Sequence, residues 1–454
     1  VDQLPGLQID EAMAGYDAWA LANHGQDSAM NTLPMYLVSY GTGQSAVYAY
    51  FAVPFVKLMG LTVVSIRLPM LVVTTVTTML LLVTLLVTKV DRRLVLCLTF
   101  MLMINPWHIM VSRFGLDANI APNLILQAVC LILLGIHKEG RLRTYCYLGA
   151  VVLLGLTAYA YIATWYFLPL FLTCLLVLLL KGGWISFQQL LLCVVALVLT
   201  IVPIVYFAYI QFFGGETSLI FGLTFPKLLS TQNEGQTILF RANFWAALMS
   251  NIKFIGKYLY TGSDSLIFSS LPYFGILYNL PGFLLVIFGG YTMVKERSTC
   301  GNIVLYWFLC SLPLVLITVP VVHHWNVILF PLIFMMGYGL WALWKINLRK
   351  LFFPVASAFG LALCFFVYSY HVANQPQLTN STYMMPSGLK NVLQFAKEKR
   401  LETVYVDRST LKQVGLYEFI YFRFFDPVSP EQYQATRDTP YDKESNMTFY
   451  RYNN

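Results

Sequence analysis

Charge is what this sequence has least of. Only 11% of its 454 residues are charged, and aspartate and glutamate together number 21. A soluble globular domain carries about 25% charged residues, so the composition excludes a soluble enzyme or binding module. Hydrophobic residues make up 58% of the chain, and several apolar runs reach the roughly 20 residues that a bilayer requires. The fold class is therefore predicted to be an all-α polytopic membrane protein.

Other absences narrow the possible functions. The eight cysteines lie in or beside apolar runs without CxxC spacing, which argues against a disulfide framework or a cysteine metal site. We find no glycine-rich phosphate loop, no cluster of metal ligands and no internal repeat. The net charge of +8 comes from short basic clusters between apolar runs. Such clusters indicate membrane orientation and not nucleic-acid binding, and neither a divalent metal nor another cofactor is predicted.

Ten apolar runs are predicted to cross the membrane. They cover residues 67–88, 94–110, 119–137, 143–161, 163–181, 188–213, 275–294, 303–319, 325–344 and 351–373. Basic clusters such as 89–93 and 138–143 recur at every second connection, and short basic loops stay in the cytoplasm. The alternate connections and both ends of the chain are therefore expected on the extracytoplasmic side. The abrupt polar start leaves room for one more span before Val1.

The chain divides into three predicted parts. Residues 1–66 form a first extracytoplasmic loop, in which the tyrosine-rich segment 44–60 lies along the membrane surface as an interfacial helix. Residues 67–373 form the transmembrane domain, with an extracytoplasmic loop at 214–274. This loop is predicted to contain an amphipathic helix over 238–260. Residues 374–454 form a small α/β domain, with helices over 387–400 and 430–437 and strands over 403–406, 419–425 and 447–452.

Two adjacent carboxylates, Asp10 and Glu11, stand in the polar first loop. A carboxylate beside a membrane is costly unless it has a partner or a chemical role. Transfer of a sugar to a hydroxyl or amine needs a general base opposite the departing phosphate, and Asp10 suits that role. Glu11, Tyr16 and Tyr48 are then expected to bind substrate. The alternative is an ordinary capping pair, because acidic residues favour the first turn of a helix.

A second candidate lies in the segment NPWHIMVSRFGLD at 105–117. Arg113 and Asp117 are four residues apart, so on a helix they share one face at the extracytoplasmic end of a span. A guanidinium there can bind a leaving phosphate and neutralise its charge. The alternatives are a structural ion pair between the two side chains, or an arginine that snorkels to the membrane surface.

Four further residues are expected to face the same side. His323 and His324 lie in an extracytoplasmic connection, where either can donate to a phosphate or a sugar hydroxyl; a plain interfacial aromatic cluster is the alternative. Gln44 can contact a phosphate by a hydrogen bond only. Arg67 begins the first visible span, either as a donor contact or as an interface anchor.

These residues together resemble the membrane glycosyltransferases of the C superfamily, nearest to the protein O-mannosyltransferase and aminoarabinose transferase type of family 39. The stretches that carry the resemblance are LPGLQIDEAMAGYDAWALANHGQD, LPMYLVSYGTGQSAVYAYFAVPFVKLMGLTVVSIRLP and INPWHIMVSRFGLDAN, within the first 125 residues or so. That class has an Asp-Glu motif, a helix along the membrane, a span that opens with arginine, and an arginine followed by aspartate. Asp10 and Glu11, Arg67, Arg113 and Asp117 match in that order.

The resemblance implies an extracytoplasmic, inverting enzyme with Asp10 as base and Arg113 on the phosphate of a polyprenyl-phosphate-linked sugar. It implies as acceptor a protein, a glycolipid or a wall polymer. In two places the chain departs from the class: Gln44 with its neighbours replaces a basic residue and a Pro-Pro pair, and His323/His324 replace an arginine. A lipid-linked sugar flippase and a polysaccharide ligase remain alternatives, although the spans lack the mid-membrane charges typical of transporters.

Overall fold

The computed structural model describes most of the chain. The described residues are 6–39, 43–229, 237–266, 269–346, 348–373, 384–385, 388–401, 403–407, 419–436, 441–442 and 447–451. The first half of the chain contains the helices α1 (Ile9–His24), α2 (Ala46–Met59), α3 (Val63–Val87), α4 (Arg92–Ile104), α5 (Pro106–Val111), α6 (Asp117–Ile136), α7 (Gly140–Ala160), α8 (Thr164–Lys181) and α9 (Phe187–Phe212). Next come a hairpin of β1 (Ser218–Ile220) and β2 (Leu223–Phe225), then α10 (Phe244–Thr261), α11 (Asn279–Glu296) and α12 (Thr299–Ile317).

The last spans lead into the tail. A one-turn 3-10 helix (Val322–Trp325) precedes α13 (Asn326–Lys345), and α14 (Arg349–Tyr368) ends in a π-helical turn (Ser369–Ala373). The tail contains α15 (Leu389–Glu398), β3 (Thr403–Asp407), α16 (Phe419–Phe425), α17 (Pro430–Thr436), β4 (Tyr441–Asp442) and β5 (Met447–Arg451). Its three strands form an antiparallel sheet in the order β3-β5-β4, with Thr403 opposite Arg451 and Tyr441 opposite Thr448.

Eight helices in the described part of the chain are long and apolar enough to cross a membrane. They are Val63–Val87, Asp117–Ile136, Gly140–Ala160, Thr164–Lys181, Phe187–Phe212, Thr299–Ile317, Val322–Lys345 and Arg349–Ala373, and they match eight of the ten predicted spans. The run 94–110 is instead broken into α4 and α5 at Asn105, because Pro106 lacks the N–H that would continue the helix. The run 275–294 forms the helix α11, which is not among these eight helices. The protein is a helical, multi-pass membrane protein.

The centre of the bundle is α13, whose residues from Asn326 to Leu343 are all buried. It lies so close to α11 that only glycine fits at the crossing. A Cβ on Gly289 would stand 1.7 Å from the carbonyl oxygen of Met335, and one on Gly339 would stand 2.3 Å from that of Leu285. Small residues that let two backbones touch are a typical device of membrane helix packing.

The first loop is more ordered than a polar, turn-rich segment suggests. Its helix α1 begins with a capping box, in which the Gln8 side chain accepts from the helix and the Glu11 side chain accepts from the Gln8 N–H. It ends at Gly25, which adopts the left-handed conformation with φ 71°. Small residues let the helix be buried on several sides: a Cβ on Gly15 would lie 2.7 Å from a ring carbon of Phe424 in α16. The predicted interfacial helix is confirmed as a helix, α2.

The tail is packed against α1. Tyr16 donates its hydroxyl to the Val428 carbonyl at 2.7 Å, and its ring lies 4.5 Å from that of Tyr433. The predicted helices α15 and α17 and the strands β3 and β5 are confirmed in place. The strand predicted over 419–425 is wrong, because this segment is helix α16. Ile420, Tyr421, Phe422 and Phe424 are all buried there, and packing against α1 overrides the strand preference of aromatic residues.

Candidate active site

Asp10 lies in the first turn of α1 and is half-buried. One carboxylate oxygen, Oδ2, accepts a hydrogen bond of 2.8 Å from Gln8 Nε2. Burial raises the pKa of Asp10; the Gln8 hydrogen bond opposes this shift and the neighbouring charge of Glu11 adds to it. A carboxylate with a raised pKa holds a proton more strongly, which brings it closer to the range of an effective general base.

Glu11 points the other way, into a fully buried ion pair. Its carboxylate receives Arg67 Nε at 2.9 Å and Arg67 Nη2 at 2.6 Å, and the two side chains are 0% and 1% exposed. It also receives the amide of Gly115 at 2.7 Å and that of Gln8 at 3.2 Å. The expectation of Arg67 as an interface anchor is wrong, because Arg67 is buried. These contacts give Glu11 and Arg67 an architectural role and offer no support for the predicted substrate contacts.

Asp117 is the second carboxylate near Asp10. It starts α6 and accepts from the backbone N–H of Ser45 at 3.0 Å and of Ala118 at 2.7 Å. The residue before Ser45, Gln44, donates its Nε2 to the Asp10 carbonyl at 3.3 Å. The segment 44–45 therefore bridges Asp10 and Asp117. The proximity of these two acids is a feature that their spacing of 107 positions could not predict.

Arg113 does not share a helical face with Asp117, contrary to the spacing argument. The helix α5 ends before it and α6 starts after it, so Arg113 stands in the turn between them. Its guanidinium carbon lies 5.4 Å from the centre of the Tyr370 ring, and its Nη1 lies 3.2 Å from His371 Nε2. The turn is joined to the residue next to Asp10 by the Gly115–Glu11 hydrogen bond. Asp10 and Arg113, the predicted phosphate contact, therefore belong to one connected region.

His323 and His324 lie in the 3-10 helix before α13. Their rings are 4.4 Å apart, and His324 is 5% exposed, with its Nδ1 lying 2.8 Å from the Val319 carbonyl oxygen. Asp264 holds this turn in place by accepting from the Val322 amide at 2.9 Å. The ring of His324 faces that of Tyr161 at 6.5 Å. Contact of either histidine with a phosphate or a sugar stays a prediction.

The two tyrosines predicted to bind substrate form hydrogen bonds within the protein. Tyr16 and Tyr48 are 0% and 1% exposed. Tyr16 binds the tail, as described above, and the hydroxyl of Tyr48 donates to the Ile66 carbonyl at the start of α3. The geometry therefore gives no support to either as a substrate contact.

Three residues near the carboxylates and Arg113 are missing from the sequence-based set: Tyr161, His371 and Tyr421. Tyr161 and Tyr421 are both buried, and after burial itself the charge of Asp10 contributes to raising the pKa of each. His371 stands at the end of the last span beside Arg113. The position of His371 at the end of a predicted span is the sequence signal that could have identified it as a site residue. Tyr161 and Tyr421 had none, because each reaches the site through packing of distant segments.

A divalent metal would need several ligands of suitable type. Within the described ranges, no group of three or more histidine, cysteine, aspartate or glutamate side chains could hold one. Asp10 and Asp117 are the carboxylates that border the site, and their described partners are a side-chain amide and backbone amides.

No family model and no curated protein matches the sequence. Among solved structures, ArnT from Cupriavidus metallidurans in the apo state matches with a TM-score of 0.53 and 13% identity, over 96% of this chain and 74% of that one. The same ArnT bound to undecaprenyl phosphate matches with a TM-score of 0.48 and 14% identity, over the same shares. The Archaeoglobus fulgidus oligosaccharyltransferase in complex with zinc and sulfate gives 0.49 and 13%, over 96% and 58%.

The alignment with apo ArnT covers nearly all of this chain, so it extends from the amino-terminal motifs through the bundle and into the tail. ArnT is an aminoarabinose transferase of the GT-C superfamily. The resemblance read from the first 125 residues is thereby confirmed at the level of the fold, which the chain shares with ArnT.

Proposed function

We propose that this protein is an inverting glycosyltransferase that moves a sugar from a polyprenyl-phosphate donor to an acceptor, with Asp10 as general base. The observation that carries the proposal is the placement of Asp10 in this fold. A half-buried carboxylate with a raised pKa is joined, through Glu11 and the Gly115 amide, to the turn that presents Arg113. A base and a cation in one region are the two groups that transfer from a phosphate donor requires.

The choice of donor is supported by the structural relative. ArnT from Cupriavidus metallidurans, whose fold the chain shares, has also been solved with undecaprenyl phosphate. A lipid phosphate suits a protein whose site lies at the ends of membrane-spanning helices, because the hydrocarbon chain can stay in the bilayer. The lipid anchor also keeps the donor at the membrane without a nucleotide.

The proposed step follows from the roles of the two groups. Asp10 takes the proton from an acceptor hydroxyl or amine, and the acceptor atom forms a bond to the anomeric carbon. The bond from that carbon to the phosphate oxygen breaks, and its electron pair leaves with the lipid phosphate. Attack opposite the leaving group inverts the anomeric configuration. Arg113, with His371 beside it, neutralises the charge that gathers on the phosphate.

The direct test is Asp10→Asn, assayed with purified protein, a polyprenyl-phosphate sugar and a candidate acceptor. We expect a loss of at least about 100-fold in transfer rate, as is typical when a general base is removed, with unchanged thermal unfolding. Asp91→Asn is the matched control. Asp91 caps α4, asparagine caps equally well, and this variant should retain activity. Full activity of Asp10→Asn would remove Asp10 from the mechanism.

The phosphate end is tested separately. Arg113→Ala should raise the apparent Michaelis constant for the donor by about tenfold or more, because a charge-assisted contact contributes roughly 1.5–3 kcal/mol. The Michaelis constant for the acceptor should change little. An unchanged donor constant would argue against the phosphate role of Arg113.

We further propose that the site faces the extracytoplasmic side. The basic clusters at 89–93 and 138–143 lie at the ends of α3 and α6 that are remote from the site, and such clusters favour the cytoplasm. A carboxy-terminal alkaline phosphatase fusion, which is active only outside the cytoplasm, should be active. An inactive phosphatase fusion together with a fluorescent carboxy-terminal GFP fusion would reverse the assignment.

The same transfer assay separates this proposal from its alternatives. A flippase would move the lipid-linked sugar across a vesicle without forming a new glycosidic bond. A polysaccharide ligase would require an oligosaccharide chain on its donor. Formation of a monoglycosylated product from a single-sugar donor would favour the glycosyltransferase over both.

A further inference from the structure

Two buried polar atoms beside the carboxylates have no hydrogen-bond partner among the residues that the structure describes: the Tyr161 hydroxyl and Gln44 Oε1. Tyr161 is 5% exposed and Gln44 is 3% exposed. Burying such atoms without a partner is unfavourable, so a folded protein normally satisfies them. An unpartnered pair next to a proposed active site therefore points to a ligand-binding role.

Backbone hydrogen bonds hold both residues in place. Gln44 exchanges two backbone hydrogen bonds with Leu37, of 2.9 and 3.0 Å, and its amide nitrogen is held by the Asp10 carbonyl. This bond leaves Oε1 as the atom available to a ligand. Tyr161 follows the last residue of α7, and its carbonyl accepts from the Thr164 amide at 3.0 Å. The Gln44 side-chain amide cannot turn away without breaking its bond to the Asp10 carbonyl.

The two groups lie against the same pair of acids. Gln44 contacts Asp10 directly, and the next residue, Ser45, donates its N–H to Asp117 and its hydroxyl to the Tyr159 carbonyl. This contact brings the end of α7, and with it Tyr161, to Asp117. Burial first, then the charge of Asp117 and more weakly that of Asp10, raises the pKa of Tyr161. Its hydroxyl therefore remains protonated and able to donate.

The region between Gln44, Tyr161 and the two acids differs in its chemistry from the region around Arg113. Two carboxylates and an amide oxygen offer acceptors, and the Tyr161 hydroxyl can both donate and accept. A phosphate would be repelled by the two acids, whereas the hydroxyls of a sugar ring would donate to the acceptors. The ring of Tyr161, with that of His324 facing it, adds an apolar surface.

We propose that Tyr161 and Gln44 form the subsite for the sugar ring of the donor, whose hydroxyls pair with the two buried polar atoms. This assignment rests on the proposed function and goes beyond it by separating a sugar end from the phosphate end at Arg113. It also changes the role of Gln44, which binds a sugar hydroxyl and not the phosphate.

The test measures binding, so that it does not depend on turnover. Purified protein in nanodiscs is titrated with decaprenyl phosphate and with decaprenyl phosphates that carry glucose, mannose, galactose or arabinose. The wild type should bind at least one sugar-bearing lipid more tightly than the bare lipid phosphate. Tyr161→Phe should reduce that preference by about tenfold, as expected when a buried hydrogen-bond partner is lost, and should leave binding of the bare lipid unchanged. Gln44→Met should act in the same direction.

Tyr159→Phe is the matched control. It removes a tyrosine hydroxyl two residues away, which donates to the Thr200 carbonyl at 2.5 Å and does not face the acids, so the sugar preference should remain. If Tyr161→Phe keeps the full preference, or if the wild type binds bare and sugar-bearing lipids equally, the subsite is overturned while the lipid-phosphate proposal stands. If the wild type binds none of these lipids, the proposed function fails and the subsite fails with it.

Discussion

Replacing Glu11 by glutamine should destabilise the protein without directly disabling its chemistry. Glutamine keeps the shape of glutamate but removes its charge, which leaves the Arg67 guanidinium charged and buried. Removing one partner of a buried ion pair typically costs about 3–5 kcal/mol. The full value is expected here, because the two side chains are 0% and 1% exposed and the carboxylate receives four hydrogen bonds.

The assay is reversible unfolding in mixed detergent micelles, followed by circular dichroism. The paired variant Glu11→Leu with Arg67→Met should recover much of the loss, because apolar residues of similar volume often replace a buried pair without net cost. Glu296→Gln is the control at an exposed pair. Lys345 and Glu296 are 46% and 28% exposed, and such a pair contributes at most about 1 kcal/mol.

One combination of results would refute the architectural role of Glu11. If Glu11→Gln unfolds like the wild type but transfers sugar orders of magnitude more slowly, Glu11 acts on the substrate, and its architectural role is wrong. A variant that unfolds earlier but retains its turnover below the transition would confirm the architectural role of Glu11.

Three further predictions concern the site and the bundle. Gln8→Ala should raise the pKa of Asp10 further, because the hydrogen bond that opposes the shift is lost. Since the proposed base must be ionised, the acidic limb of the pH–rate profile should move to higher pH. Gly289→Ala should lower the thermal unfolding temperature, because the new Cβ meets a backbone carbonyl at 1.7 Å, whereas Gly290→Ala, with nothing closer than 3.8 Å, should not. Burial raises the pKa of Asp27 from 3.8 to about 6, so the folded state holds this proton more tightly. The free energy of unfolding should therefore fall as the pH rises from about 4 to 6, and less steeply in Asp27→Asn.

The membrane helices could be predicted from sequence because their signal is local. A run of apolar residues as long as that in α3 has no stable place except a bilayer or a large core. The break at Pro106 was also visible in the sequence, since proline cannot continue a helix. The run 94–110, which contains Pro106, was nevertheless counted as one span, because the mean hydropathy of a run does not depend on whether a backbone N–H is present.

The site could be predicted only in part. Asp10 was identified as a costly carboxylate beside a membrane and Arg113 from its spacing to Asp117, and both also match the family motif. The structure joins their segments through the Gly115–Glu11 hydrogen bond. The partners of Glu11 could not be predicted, because Arg67 lies 56 residues away and the pairing depends on how α1 meets α3. The helix α16 was missed for a similar reason: its aromatic residues favour a strand locally, and only contact with α1 makes a buried helix more favourable.

The contact between Tyr16 and Val428 has a consequence for the order in which the molecule matures. These residues are 412 positions apart, so the helix that carries Asp10 acquires this contact only after the ribosome has made all of the spans that lie between them in the sequence. Until then, α1 is inserted beside the early spans with one flank uncovered. A nascent chain stalled anywhere in the bundle would therefore lack the contact that covers this flank of α1.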